Sequence, residues 1–212
     1  MPPALFGAPL ATARAVVILV HGRGQSPDEM DRQIVRRLDL PGVAYVAPAA
    51  ADQSWYPAGF MAPIEQNQPR LDFALARLAA LSDDLAARGT PLRAQVIVGF
   101  SQGACLALEY VYRRRQGVAA LCAFTGGLIG PPGTAWDADG AAFDGMPVLL
   151  GGANEDPWVP AARMLETAAV FQRLGARVYA PIYPSSAHEI NDDQIACARE
   201  ILTRILESAA PR

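Results

Sequence analysis

Histidine occurs only twice in this chain of 212 residues, and cysteine only three times. With so few imidazoles and thiols, no Cys/His cluster has metal-ligand spacing, so a structural zinc site is excluded. The cysteines, Cys105, Cys122 and Cys197, are odd in number and lie in apolar surroundings. They read as free thiols, which suit a reducing cytoplasm, rather than as a disulfide framework. Long hydrophobic runs are also missing. Residues 15–20 are apolar throughout but far too few to cross a bilayer, so no membrane insertion is expected. Met1-Pro2-Pro3-Ala4 lacks the charged and apolar regions of a signal peptide, and the expected location is the cytoplasm. There is no excess of positive charge. Eighteen basic residues face 21 acidic ones, for a net charge of −3, so no nucleic-acid footprint is present. Repeats and low-complexity linkers are absent. The length suits one sizeable core, and residues 1–212 are expected to form a single domain.

What the chain does have is an alternation of two patterns. Short apolar, β-branched runs at 16–20, 43–47, 95–100, 118–124, 147–150 and 177–183 read as strands. Helical patterns at 26–38, 71–88, 104–114, 161–174 and 191–207 lie between and after them. Ser26-Pro27-Asp28-Glu29 opens the first helix as a capping box with proline at its first position. Leu71, Leu75, Leu78, Leu81 and Leu85 recur at helical spacing along the second. Six strands alternating with five helices imply βαβ units, hence a mainly parallel central sheet with helices on both faces. Several strands run into glycine or polar loops, which is where open α/β sheets bind ligands.

The chemistry centres on Gly99-Phe100-Ser101-Gln102-Gly103. The pentad Gly-x-Ser-x-Gly is weak by itself. A strand before it and a helix after it make it the signature of a nucleophilic serine on a strained turn. A serine nucleophile needs a base near neutrality, and histidine is the usual one. His188 lies in a loop between the last strand and the last helix. His21 directly precedes a glycine at the end of the first strand, where it better suits shaping a loop. An orienting acid is expected between serine and histidine in the chain. Asp156, in the loop after the strand at 147–150, fits, with its neighbour Glu155 as competitor. Asp137, Asp139 and Asp144 read as solvated turn residues. A tetrahedral intermediate also needs preorganised donors. The backbone N–H of Gln102 and that of Arg23, in His21-Gly22-Arg23-Gly24, are the candidates for the oxyanion hole. The segment 49–69 has no period but carries Trp55, Tyr56, Phe60 and Met61. With Leu128, Ile129 and Trp158, these are the candidate pocket residues.

His-Gly-Arg-Gly, Gly-Phe-Ser-Gln-Gly-Ala, the Asp-Pro-x-Val-Pro loop and the late histidine resemble the phospholipase/carboxylesterase family of α/β-hydrolases, relatives of the acyl-protein thioesterases. The similarity runs in order over nearly the whole chain. It implies an α/β-hydrolase fold without a large lid domain. It also implies a cytosolic, cofactor-free serine hydrolase acting on carboxylic esters or thioesters. Ser101, Asp156 and His188 match the family's triad positions, and Arg23 and Gln102 its oxyanion positions. Thioesterase relatives usually carry leucine where this chain has Arg23, and Trp55-Tyr56-Pro57 looks more like bacterial carboxylesterases. The expected partner is a small-molecule ester; a homodimer is left open.

Overall fold

The computed structural model describes residues 2–208. The apolar runs pair into one eight-stranded sheet. Its strands are β1 (Ala4–Gly7), β2 (Ala15–Val20), β3 (Val43–Ala47), β4 (Gln95–Phe100), β5 (Ala120–Phe124), β6 (Pro147–Ala153), β7 (Arg177–Tyr179) and β8 (Ile182–Tyr183). The order is β1-β3-β2-β4-β5-β6-β7, with β8 also pairing β6. Only β1 runs antiparallel, against β3; the other pairs are parallel.

Two helical layers cover the sheet. One holds α1 (Pro27–Met30), a π-helical stretch (Asp31–Val35) and α2 (Arg36–Leu38), together with α6 (Asp192–Ser208). The other holds α3 (Arg70–Ala87), α4 (Gln102–Arg114) and α5 (Ala161–Arg173). Alternation along each strand feeds both layers. In β2, Val16, Ile18 and Val20 pack towards α3, α4 and α5, while Ala15, Val17 and Leu19 pack towards the opposite layer. The parallel strands β2 to β6 are therefore buried on both faces and read as near-continuous apolar runs, whereas the short strands β7 and β8 are part-exposed.

Several elements depart from the sequence expectation. β1 is an edge strand of four residues, too short to show an alternation. The strand expected at 177–183 is two strands, β7 and β8, separated by Ala180 and Pro181, because proline has no N–H for the ladder. β6 continues through Gly151 and Gly152 rather than turning there. Gly151 O accepts from Thr125 N–H at 2.7 Å, and Gly152 N–H donates to Pro181 O at 3.3 Å, so neighbouring segments hold these glycines extended.

β4 is central, between β2 and β5. The loops at the carboxyl ends of β2, β4, β5 and β6 consequently open along one edge of the sheet, the position where such sheets build their sites.

Candidate active site

The turn from β4 into α4 is tight because its two glycines leave no room for anything larger. A Cβ on Gly99 would lie 2.5 Å from Gly103 O, and one on Gly103 would lie 2.1 Å from Val20 O. Between them Ser101 has φ 53° and ψ −120°, a backbone conformation that residues other than glycine rarely adopt and that costs of order 1–3 kcal/mol. The strain is held in place by neighbours. Ser101 N–H donates to Phe124 O on β5 at 3.0 Å, and Ser101 O accepts from Cys105 N–H at 3.0 Å.

The Ser101 hydroxyl meets His188. His188 Nε2 and Ser101 Oγ are 2.8 Å apart, and His188 Nδ1 lies 2.8 Å from Asp156 Oδ2. A carboxylate only accepts, so Nδ1 carries the hydrogen and Nε2 is left to accept from Ser101 O–H. The Asp156 side chain is fully buried, whereas that of His188 keeps 21% of its exposure. Asp156 is further oriented through its second oxygen, which accepts from Trp158 N–H at 2.8 Å and Val159 N–H at 2.9 Å. Glu155 is exposed, and its N–H is tied to Ser185 O at 3.1 Å, so the structure brings Asp156, not Glu155, to the imidazole. Asp137, Asp139 and Asp144 are exposed.

These groups open into a cleft of about 440 Å³ lined by Arg23, Tyr56–Phe60, Ser101, Gln102, Cys105, Trp158, Val159 and His188. Gln102 is the first residue of α4, so its N–H lies among those that have no partner within the helix. Burial pushes the Cys105 thiol up to about 12 and the Tyr56 phenol well above its ordinary value, so both line the cleft uncharged. Among the described residues, no three His, Cys, Asp or Glu side chains gather as metal ligands would.

The phospholipase/carboxylesterase family model matches residues 7–206. The chain belongs to the phospholipase/carboxylesterase family. It is similar to a phospholipase/carboxylesterase from Dyadobacter fermentans of known crystal structure, with 36% identity, a TM-score of 0.85, and 95% of this chain and 96% of that one covered. It matches NocK of Nocardia uniformis subsp. tsuyamanensis, whose name gives it provisionally as an esterase, at 28% identity over 190 residues. That match takes in 80% of this chain and 54% of the relative, so the chain spans about half the length of that curated protein. Acyl-protein thioesterase 2 of Zea mays shares the fold at 18% identity, with a TM-score of 0.75 and 96% and 98% of the two chains covered. The chain has the α/β-hydrolase fold, with a mainly parallel sheet between helical layers and no large lid among the described residues. No helix among the described residues is long and apolar enough to cross a membrane.

Not every apolar residue singled out in the sequence faces the cleft. Tyr56, Phe60 and Trp158 do, with Trp158 72% exposed at its mouth. Trp55, Met61, Leu128 and Ile129 are not among the residues that line this cleft. Trp55 is drawn inward by its indole N–H, which donates to His21 O at 2.8 Å. Leu128 and Ile129 are buried and fixed by their backbones. Leu128 N–H bonds Thr167 Oγ1, Leu128 O accepts from the buried Arg163, and Ile129 N–H bonds the buried Glu109. Met61 is half-buried against the core. Conversely, the sequence did not point to Pro57, Ala58, Gly59, Cys105 or Val159 as wall, although Cys105, four residues after Ser101, is one helical turn from it.

His21 packs beneath the site. Its Nδ1 donates to Gly22 O at 2.7 Å, and its Nε2 accepts from Ala50 N–H at 3.0 Å. Both nitrogens are thus used by backbone, and burial lowers its pKa below the ordinary 6.5. Above pH 6.5 the group is neutral whether the chain is folded or unfolded, and stability is full. As pH falls below 6.5, the unfolded chain takes up a proton that the fold resists, and stability declines. The melting temperature should therefore fall between pH 7 and pH 5, and fall less in His21→Gln. An equal drop in both proteins would remove His21 from the acid sensitivity.

Proposed function

We propose that this protein is a carboxylesterase that cleaves carboxylic esters of small to medium acyl chain through an acyl-enzyme. The observation that carries it is the unbroken series of contacts from Ser101 through His188 to Asp156, with the serine at the floor of an accessible cleft. Ser101 Oγ attacks the ester carbonyl while His188 Nε2 takes its proton. Asp156 holds the imidazole in the needed tautomer and stabilises the imidazolium. The backbone N–H groups of Gln102 and Arg23 receive the developing oxyanion. His188 returns the proton to the departing alcohol, then activates a water that releases the acid. The 440 Å³ cleft suits a small to medium acyl chain. Residues 1–212 are taken as one domain working in the cytoplasm without a cofactor; Met1 and residues 209–212 lie outside the described residues.

The test is a panel of p-nitrophenyl esters of C2, C4 and C8 acids beside butyryl-CoA and a lysophospholipid. The esterase assignment expects the highest kcat/KM on the C2 or C4 ester. A tenfold preference for the thioester or the lysophospholipid would replace it by a thioesterase or lysophospholipase with the same triad.

Two truncations separate wall from core. Phe60→Ala should shift the C4-to-C8 preference by about 0.8 kcal/mol for each substrate methylene that the ring no longer shields from water. Trp55→Ala should leave that preference unchanged and cost about 3–5 kcal/mol of stability. An unchanged profile in Phe60→Ala would remove Phe60 from the acyl site.

A further inference from the structure

The two residues assigned as oxyanion donors sit on different elements, Arg23 after β2 and Gln102 at the start of α4, yet their side chains converge on one atom. Arg23 Nη2 donates to Tyr56 O at 2.9 Å, and Gln102 Nε2 donates to the same oxygen at 2.7 Å. Arg23 holds the next two carbonyls as well, with Nη1 on Pro57 O at 2.8 Å and Nη2 on Ala58 O at 2.7 Å. Gln102 completes the tie through Oε1, which accepts from Trp55 N–H at 2.9 Å. The segment is anchored from behind by the buried Asn67, which accepts from Ala58 N–H at 2.8 Å and donates to Gly59 O at 3.0 Å.

We propose that the Arg23 side chain is a positioning group for the oxyanion hole: it locks its own loop to the 56–58 carbonyls, the same anchor that holds Gln102, and so keeps the two N–H donors in register. The inference rests on the assignment of those N–H groups in the proposed mechanism. The chemistry suits arginine alone. A planar guanidinium can serve three consecutive carbonyls from one rigid fork, whereas lysine offers a single point of attachment on a flexible stem. Residues 22–25 form a turn closed by Gln25 N–H on Gly22 O at 3.2 Å and by Gly22 N–H on Gln25 Oε1 at 3.0 Å, and Gly24 N–H reaches Gln53 O at 2.8 Å. These bonds shape the turn, while the fork fixes it against the 56–58 carbonyls that also hold Gln102. Without the fork the Arg23 N–H can shift relative to the Gln102 N–H. A displacement near 1 Å at such a donor costs on the order of 10²-fold in rate.

The test compares wild type, Arg23→Lys and Arg23→Gln on p-nitrophenyl butyrate, with inhibition by butylboronic acid and by butyrate. The boronic acid forms a tetrahedral adduct on the serine and places an oxygen where the oxyanion forms; butyrate does not. The variants are expected to lose roughly 10²-fold in kcat and to bind the boronic acid weaker by a similar factor. KM and butyrate inhibition should stay within threefold. A purely structural role would not weaken the tetrahedral adduct selectively. Should Arg23→Gln fail to fold, Arg23→Lys, which keeps the charge, decides alone. A kcat within threefold of wild type, a loss confined to KM, or unchanged boronic-acid affinity overturns the inference. Wild-type protein that neither hydrolyses the ester nor takes a fluorophosphonate on Ser101 overturns the serine-hydrolase assignment itself, whatever the variants do.

Discussion

Ser101→Ala is expected to abolish ester hydrolysis and leave the melting temperature close to that of wild type. The hydroxyl makes one side-chain hydrogen bond, to His188 Nε2, and the imidazole is partly exposed, so water can take the place of the hydroxyl. The bonds that hold the turn, from Ser101 N–H to Phe124 O and from Cys105 N–H to Ser101 O, belong to the backbone and remain. Alanine meets the same positive φ at little added cost, since the strain lies in the Cβ that serine already carries. The chemical cost is different in kind. Without the nucleophile no acyl-enzyme forms, and losses of roughly 10⁴–10⁶-fold follow from removing a triad serine. Turnover within tenfold of wild type, measured on the preferred ester with correctly folded protein, would remove Ser101 from the mechanism.

Asp156→Asn is expected to lower kcat on the order of 10⁴-fold with little change in KM. Asparagine keeps one oxygen to accept from the N–H groups of Trp158 and Val159, so the loop can hold. Its amide then faces His188 Nδ1 with a donor where an acceptor stood. Nδ1 becomes the acceptor, the ring hydrogen moves to Nε2, and His188 can no longer take the serine proton. Glu155→Gln alters an exposed side chain and should leave kcat within twofold. A larger loss in Glu155→Gln than in Asp156→Asn would exchange their roles.

The parts of the site legible in the sequence are those set by local sterics or by scarcity. Gly99 and Gly103 had to be glycine because backbone crowds both positions, so the turn was written into five consecutive residues. With two histidines in the chain, the choice of His188 was between a loop residue and one, His21, whose ring both nitrogens now bind into the backbone. Asp156 and Glu155 share one loop, and only the fold distinguishes them: the loop turns one carboxylate inward onto two N–H groups and the other outward. The wall of the cleft was less legible. A strand of period two announces which side chains share a face, but the aperiodic segment 49–69 carries no such rule. Trp55 and Tyr56 are neighbours in sequence, and only Tyr56 lines the cleft. The Arg23 fork reaches 33 to 35 positions along the chain, a separation at which no local pattern signals proximity. β1 was missed for want of length, and the break at Pro181 was present in the sequence as a residue that cannot donate to a ladder.

The central claim is that Ser101 is the residue acylated during turnover. Reaction of the intact protein with one equivalent of a fluorophosphonate, followed by intact-mass measurement and peptide mapping, tests it directly. One adduct per chain, located on Ser101 and forming far more slowly in Asp156→Asn, is the predicted result. No adduct, or an adduct on another residue with Ser101 unmodified, would contradict the account.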